Sequence, residues 1–138
     1  MKTITTRLLP VICLFLLTNL SYSQIKIDQS KVNTFAKYVY SNCLDYTSTE
    51  HLEIYKNNIS KIEIFKLSEK GETTYSISLL STIQLKNKCN HALTHDDEKT
   101  FNIESFNPLK YMFNYHSSKD QYFRVDNTDY VIKINATK

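Results

Sequence analysis

The residues best equipped for chemistry lie in one stretch, His91-Ala92-Leu93-Thr94-His95-Asp96-Asp97-Glu98. Imidazole nitrogens and carboxylate oxygens are the donors that hold zinc and related ions. His91, His95, Asp96 and Asp97 are therefore the candidate metal ligands, and on a helix His91 and His95 would share a face. The spacing argues against a site. A zinc-protease helix needs Glu directly after its first His, and Ala92 stands there. No helical periodicity runs through the stretch, and EF-hand spacing is absent. These residues read as a solvated polar loop, with no metal and no other cofactor expected. A metal-dependent hydrolase using His91–Glu98 is the alternative reading.

Other catalytic patterns fail on composition. Four histidines (His51, His91, His95, His116) and many Ser, Thr and Asp supply parts for a hydrolase, but Gly71 is the only glycine. One glycine cannot build a G-x-S-x-G elbow, a P-loop or a dinucleotide fingerprint. Tyr111, Phe113, Tyr115, Tyr122 and Phe123 form a dense aromatic set. Exposed, such a set would bind a protein or glycan; buried, it is core, and core is the reading taken. Asn58-Ile59-Ser60 and Asn135-Ala136-Thr137 fit the glycosylation pattern, which matters only in a eukaryotic secretory pathway.

The N-terminus sets the compartment. Lys2 and Arg7 precede an apolar run from Leu8 to Leu20, which ends in Ser21-Tyr22-Ser23 before Gln24. That order is a basic region, an apolar region and a small-residue cleavage site. Residues 1–23 are read as a signal peptide and 24–138 as the mature domain. The run is about 13 residues, whereas a membrane-crossing helix needs about 20, which disfavours an uncleaved anchor. Lipidation at Cys13 is disfavoured by bulky Ile12 before it. The Ser-Tyr-Ser-Gln ending resembles signal peptides of Bacteroidetes bacteria, which implies a bacterial protein placed in the periplasm or outside the cell.

Removing Lys2 and Arg7 takes the formal net charge from +3 to +1. Acids and bases then alternate along the chain, without the basic patch of a nucleic-acid binder. No membrane association is expected after cleavage. Of three cysteines, Cys43 and Cys89 stay in the mature part. An even pair in an oxidising compartment reads as a disulfide. Closing so long a loop is worth about 4 kcal/mol in the chain-entropy model. Free thiols or a redox pair are the alternatives, but redox pairs usually sit as C-x-x-C.

The elements that would carry these residues follow from periodicity. Val32, Phe35, Ala36, Val39 and Cys43 recur at helical spacing after Asp28 or Ser30, predicting a helix over 29–43. Residues 45–58 are ambiguous, with Thr49 a possible helix start. Ile59–Leu67 reads as a strand, and Gly71 as the glycine of a hairpin turn. Tyr75, Ile77, Leu79, Ile83 and Leu85 alternate with polar residues, predicting a returning strand with those side chains inward. Phe101 and Ile103 suggest a third strand. Asn107-Pro108 reads as cap and first residue of a short second helix. Gln121–Val125 and Tyr130–Ile134 flank a polar turn.

The expected fold is one small α+β domain: the N-terminal helix packed on a curved, mostly antiparallel sheet of about five strands. In architecture alone this resembles cystatin-like and NTF2-like folds. Small size, a disulfide and missing catalytic signatures make a binding or interaction module (inhibitor-, immunity- or carrier-like) the expected function, with a protein or small ligand as partner. N-terminal sequencing of the protein exported by its native host should begin at Gln24. Recovery of Met1 in the exported fraction would overturn the signal assignment.

Overall fold

The structure is a computed structural model, in which residues 23–24, 27–71 and 74–138 are described. The apolar run Leu8–Leu20, Cys13, Ser21 and Tyr22 lie outside the described residues. Strand β1 is Ser23–Gln24, and helix α1 is Gln29–Val39. Helix α2 is Thr49–Ile59, after a 3-10 turn over Leu44–Thr47. Strand β2 is Ile62–Lys66, β3 Ser78–Leu79, β4 Gln121–Arg124 and β5 Tyr130–Ile134. The class is α+β, as expected. The strands form one mixed sheet in the order β1-β2-β5-β4-β3, antiparallel except where β3 runs parallel to β4.

Both helices are capped by their sequence. Asp28 accepts a hydrogen bond from the Lys31 N–H at 2.7 Å, and Ser48 accepts from the His51 N–H. Such caps satisfy donors that the first turn leaves unpaired. The ambiguous 45–58 segment thus resolves into a turn and a full helix. The expected second helix at Asn107-Pro108 shrinks to a 3-10 turn over Pro108–Lys110, capped by the Asn107 side chain as its sequence implies.

The layers meet differently from expectation. The buried stripe of α1 (Val32, Phe35, Ala36, Val39) gathers with Leu52, Tyr55 and Ile59 of α2 and with Cys89, Leu93 and Leu109. Ile62, Ile64, Phe123, Ile132 and Ile134 of the sheet gather instead with Leu80, Phe106, Tyr111, Phe113 and Tyr115. The irregular 106–115 segment, and not α1, supplies the sheet's apolar cover. The aromatic set is accordingly core: Tyr111, Phe113, Tyr115 and Phe123 are buried. Tyr122 is partly buried and stacks on Tyr75 at 3.8 Å between ring centroids.

The predicted strand over 75–85 is corrected most. Only Ser78–Leu79 is strand, and a 3-10 turn over Leu80–Thr82 follows at once. The turn breaks the alternation, so Leu80 is fully buried while Leu79 is 41% exposed. Asp126 fixes the turn by accepting from the Ser81 N–H at 3.0 Å and the Ser81 hydroxyl at 2.6 Å. Tyr75, Ile77, Ile83 and Leu85 are only partly buried. Gly71 does adopt φ +70°, but it closes no hairpin, because β2 takes the distant β5 as its neighbour. The expected strand at Phe101–Ile103 is irregular too. Asp97 and Asn102 accept from nearby N–H groups there, offering the backbone an alternative to a ladder.

Cys43 and Cys89 are bridged, with Cα atoms 5.6 Å apart. Two substitutions separate the observed burial from the alternation. Leu80→Ala should cost about 2–5 kcal/mol, through lost transfer energy and a cavity. Leu79→Ala should fall within about 1 kcal/mol of the parent, as exposed sites do. Urea unfolding of both variants measures the difference.

Candidate functional site

The loop singled out by its histidines and carboxylates has its polar groups committed to structure. His91 is exposed. His95 Nε2 lies 2.8 Å from the Ile83 carbonyl, the geometry of a donor to that oxygen. Asp96 Oδ2 accepts from Lys110 Nζ at 2.9 Å and from the Tyr111 hydroxyl at 2.7 Å. The Asp96 N–H donates back to the Tyr111 oxygen at 2.7 Å. Asp97 accepts from the Thr100 hydroxyl and from the Lys99 and Thr100 N–H groups. Those bonds, the Thr100 hydroxyl first, hold its pKa below the usual carboxylate range. Among the described residues no group of three or more His, Cys, Asp or Glu is placed to hold a metal. His51 lies elsewhere, on Ser48 at 2.7 Å, and His116 is exposed.

A different constellation surrounds the disulfide. α1 ends at Tyr40, whose carbonyl accepts from the Cys43 N–H at 2.9 Å. The following 3-10 turn presents Tyr46. The bridge holds Cys89 against this corner, and the Asn42 side chain donates to the Cys89 carbonyl at 2.9 Å. The far wall is a short antiparallel contact. The Lys86 N–H donates to Lys110 O at 2.7 Å, the Met112 N–H to Gln84 O at 2.9 Å, and Leu85 bridges Tyr111 between them. These walls enclose a groove of about 320 Å³ lined by Tyr40, Tyr46, residues 84–89 and Met112.

The groove is mainly apolar and aromatic. Tyr46 stacks on Tyr40 at 5.1 Å, and Tyr40 stacks on Tyr55 at 5.4 Å. Burial raises the pKa of Tyr40 and Tyr55, so these phenols stay protonated. Tyr46 and Met112 are 41% and 54% exposed, which leaves the groove's two outer apolar faces open to a ligand. Lys86 is partly buried in the wall, and that burial pulls its pKa below the ordinary lysine range. Among the described residues no carboxylate lines the groove.

A second cavity of similar size lies against α1, lined by Thr34, Phe35, Tyr38, Asp96, Ser105, Asn107 and Lys110. Its charges are already matched, because Lys110 and Asp96 pair inside it with side chains 10% and 13% exposed. The Cys43–Cys89 pairing, which the sequence does indicate, was the one signal that residues 40–46 and 84–89 are neighbours. Lys86 itself carries no signal, since a lysine among polar residues reads as solvated. Set against known proteins, the chain matches no family model, no curated protein and no solved structure.

Tyr111→Phe should test what Asp96 does. It removes a hydroxyl that both donates to Asp96 and accepts from it, leaving a partly buried carboxylate one partner short. A loss of about 1.5–3 kcal/mol is expected, the range for hydrogen bonds to charged groups. Urea unfolding measures it; no loss would show that the loop is held by other contacts.

Proposed function

We propose that the chain is a small exported bacterial binding module, with residues 24–138 as its mature domain. Its working surface is the groove beside the Cys43–Cys89 disulfide. The observation that carries this reading is a concave, apolar-walled space of about 320 Å³, with Lys86 in one wall. That volume lies at the small end of ligand pockets, which are typically apolar with few polar groups for orientation. A tie across the walls supports the same reading. Preformed walls reduce the ordering cost of binding, and the disulfide with Asn42 sets them in place.

Export to the periplasm or beyond rests on the tripartite N-terminus. A disulfide agrees with an oxidising compartment, and no described helix is long and apolar enough to cross a membrane. The alternating charges give no reason to invoke nucleic acid.

A neutral fluorescent apolar amine, N-phenyl-1-naphthylamine, tests the site on the intact oxidised protein. Saturable binding near one equivalent is expected. Met112→Glu should weaken it at least tenfold, because a charge would then stand on an exposed apolar wall. Absence of saturable binding, or binding indifferent to Met112→Glu, would overturn the assignment of the groove.

A further inference from the structure

Resting on that reading of the groove, we propose that it selects a small ring-bearing organic anion, whose carboxylate pairs with Lys86 and whose ring lies against Tyr46 and Met112. The pairing of the lysines points to this ligand. Among the described residues, every other partly or fully buried lysine has a partner. Lys110 pairs with Asp96, and Lys133 lies 3.2 Å from Asp120 and 3.7 Å from Glu63. Lys61 donates to the Tyr115 carbonyl at 2.7 Å and to the Thr137 hydroxyl at 3.1 Å. Lys31, Lys66 and Lys70 lie over the rings of Phe35, Tyr130 and Phe65. Among the described residues the Lys86 ammonium has neither an acceptor nor a ring, although the residue is likewise partly buried.

A partly buried cation without a partner is unfavourable. Lys86 lines a groove whose described lining residues include no acid. An anion entering the groove would supply the partner that Lys86 lacks. A simple inorganic anion would leave the rest of the groove unused. The phenol of Tyr46 and the thioether of Met112 offer faces for a ring. The volume limits the ligand to about three rings. A cationic ligand is disfavoured, because Lys86 and Lys88 share the lining.

Titration calorimetry of the oxidised protein at pH 7 and low salt tests this with three probes of one ring size. These are indole-3-acetate, neutral 3-methylindole and cationic tryptamine. The acid should bind at least tenfold more tightly than the neutral ring, and tryptamine more weakly than either. Lys86→Met should bring the acid down to the level of 3-methylindole and leave 3-methylindole unchanged. Lys86→Arg should retain the preference, which separates charge from folding. Lys99→Met should have little effect, since that exposed side chain is not part of the groove's lining. Equal binding of acid and neutral ring, or a preference that survives Lys86→Met, would overturn the inference while leaving the groove as a site. If neither these rings nor the naphthylamine binds, the groove reading itself fails.

Discussion

The hydrogen bond between Tyr111 and Asp96 is the constraint on which the long irregular stretch of this chain depends. Between Ile83 and Asp120 the only regular element is the single turn Pro108–Lys110. A segment that irregular must still satisfy its buried polar groups, since each one left unpaired costs about 1–3 kcal/mol. Tyr111 organises it from inside. The ring is fully buried and stacks on Phe106 and Phe113. Its backbone pairs with Leu85, and its hydroxyl reaches Asp96 in the next loop. Burial raises the pKa of the phenol, keeping it a donor. Lys110, adjacent in sequence, neutralises the same carboxylate. A carboxylate so largely withdrawn from water would be unfavourable alone; with both partners it becomes a fastening point.

The disulfide is the second tether, and it works at a different boundary. The helical cluster and the sheet cluster are distinct, with Ile27 and Leu85 packed against both. Cys43–Cys89 ties the end of α1 to the segment that carries Leu85. It brings the walls together without filling the space between them. The groove lies beside the bond, lined by Tyr40 and Cys89 of the helical cluster and by Leu85. Hydrophobic packing drives each cluster; the covalent bond and the Asn42 hydrogen bond fasten residues 84–89 to the end of α1.

What could be read from the sequence was local. Helix α1 was legible because its apolar residues keep a strict spacing and an Asp stands at its cap. The β4–β5 pair was legible because two short apolar runs flank a polar turn, where Asn127 takes a positive φ of 57°. The disulfide followed from counting. The misreadings came from non-local choices. The alternation in Tyr75–Leu85 is present in the sequence, but Asp126 holds a turn at Ser81 that breaks it. Nothing in 62–66 announces a partner at 130–134 rather than in the next run. The 91–98 loop reads as solvated throughout because a carboxylate fastened to a tyrosine and a lysine looks, in sequence, the same as one free in water. The groove was illegible because it is assembled from separate segments, and its polar group is distinguished only by lacking a partner.

That lack sets the groove apart from the neighbouring cavity against α1. Both are about 320 Å³, and both include a lysine withdrawn from water. In one, Asp96 satisfies the lysine, and the pair stabilises the fold. In the other, Lys86 is held by its backbone on a fixed wall while its ammonium is left uncompensated. Natural sequences agree with their folds at most levels, and departures concentrate where function needs them. An acid at a neighbouring position would have matched Lys86 internally and closed the question, as Asp96 does for Lys110. The chain instead leaves the charge unmatched at an open, apolar, pre-set groove. In such surroundings a cation contributes more to recognising an incoming anion than it could to stability.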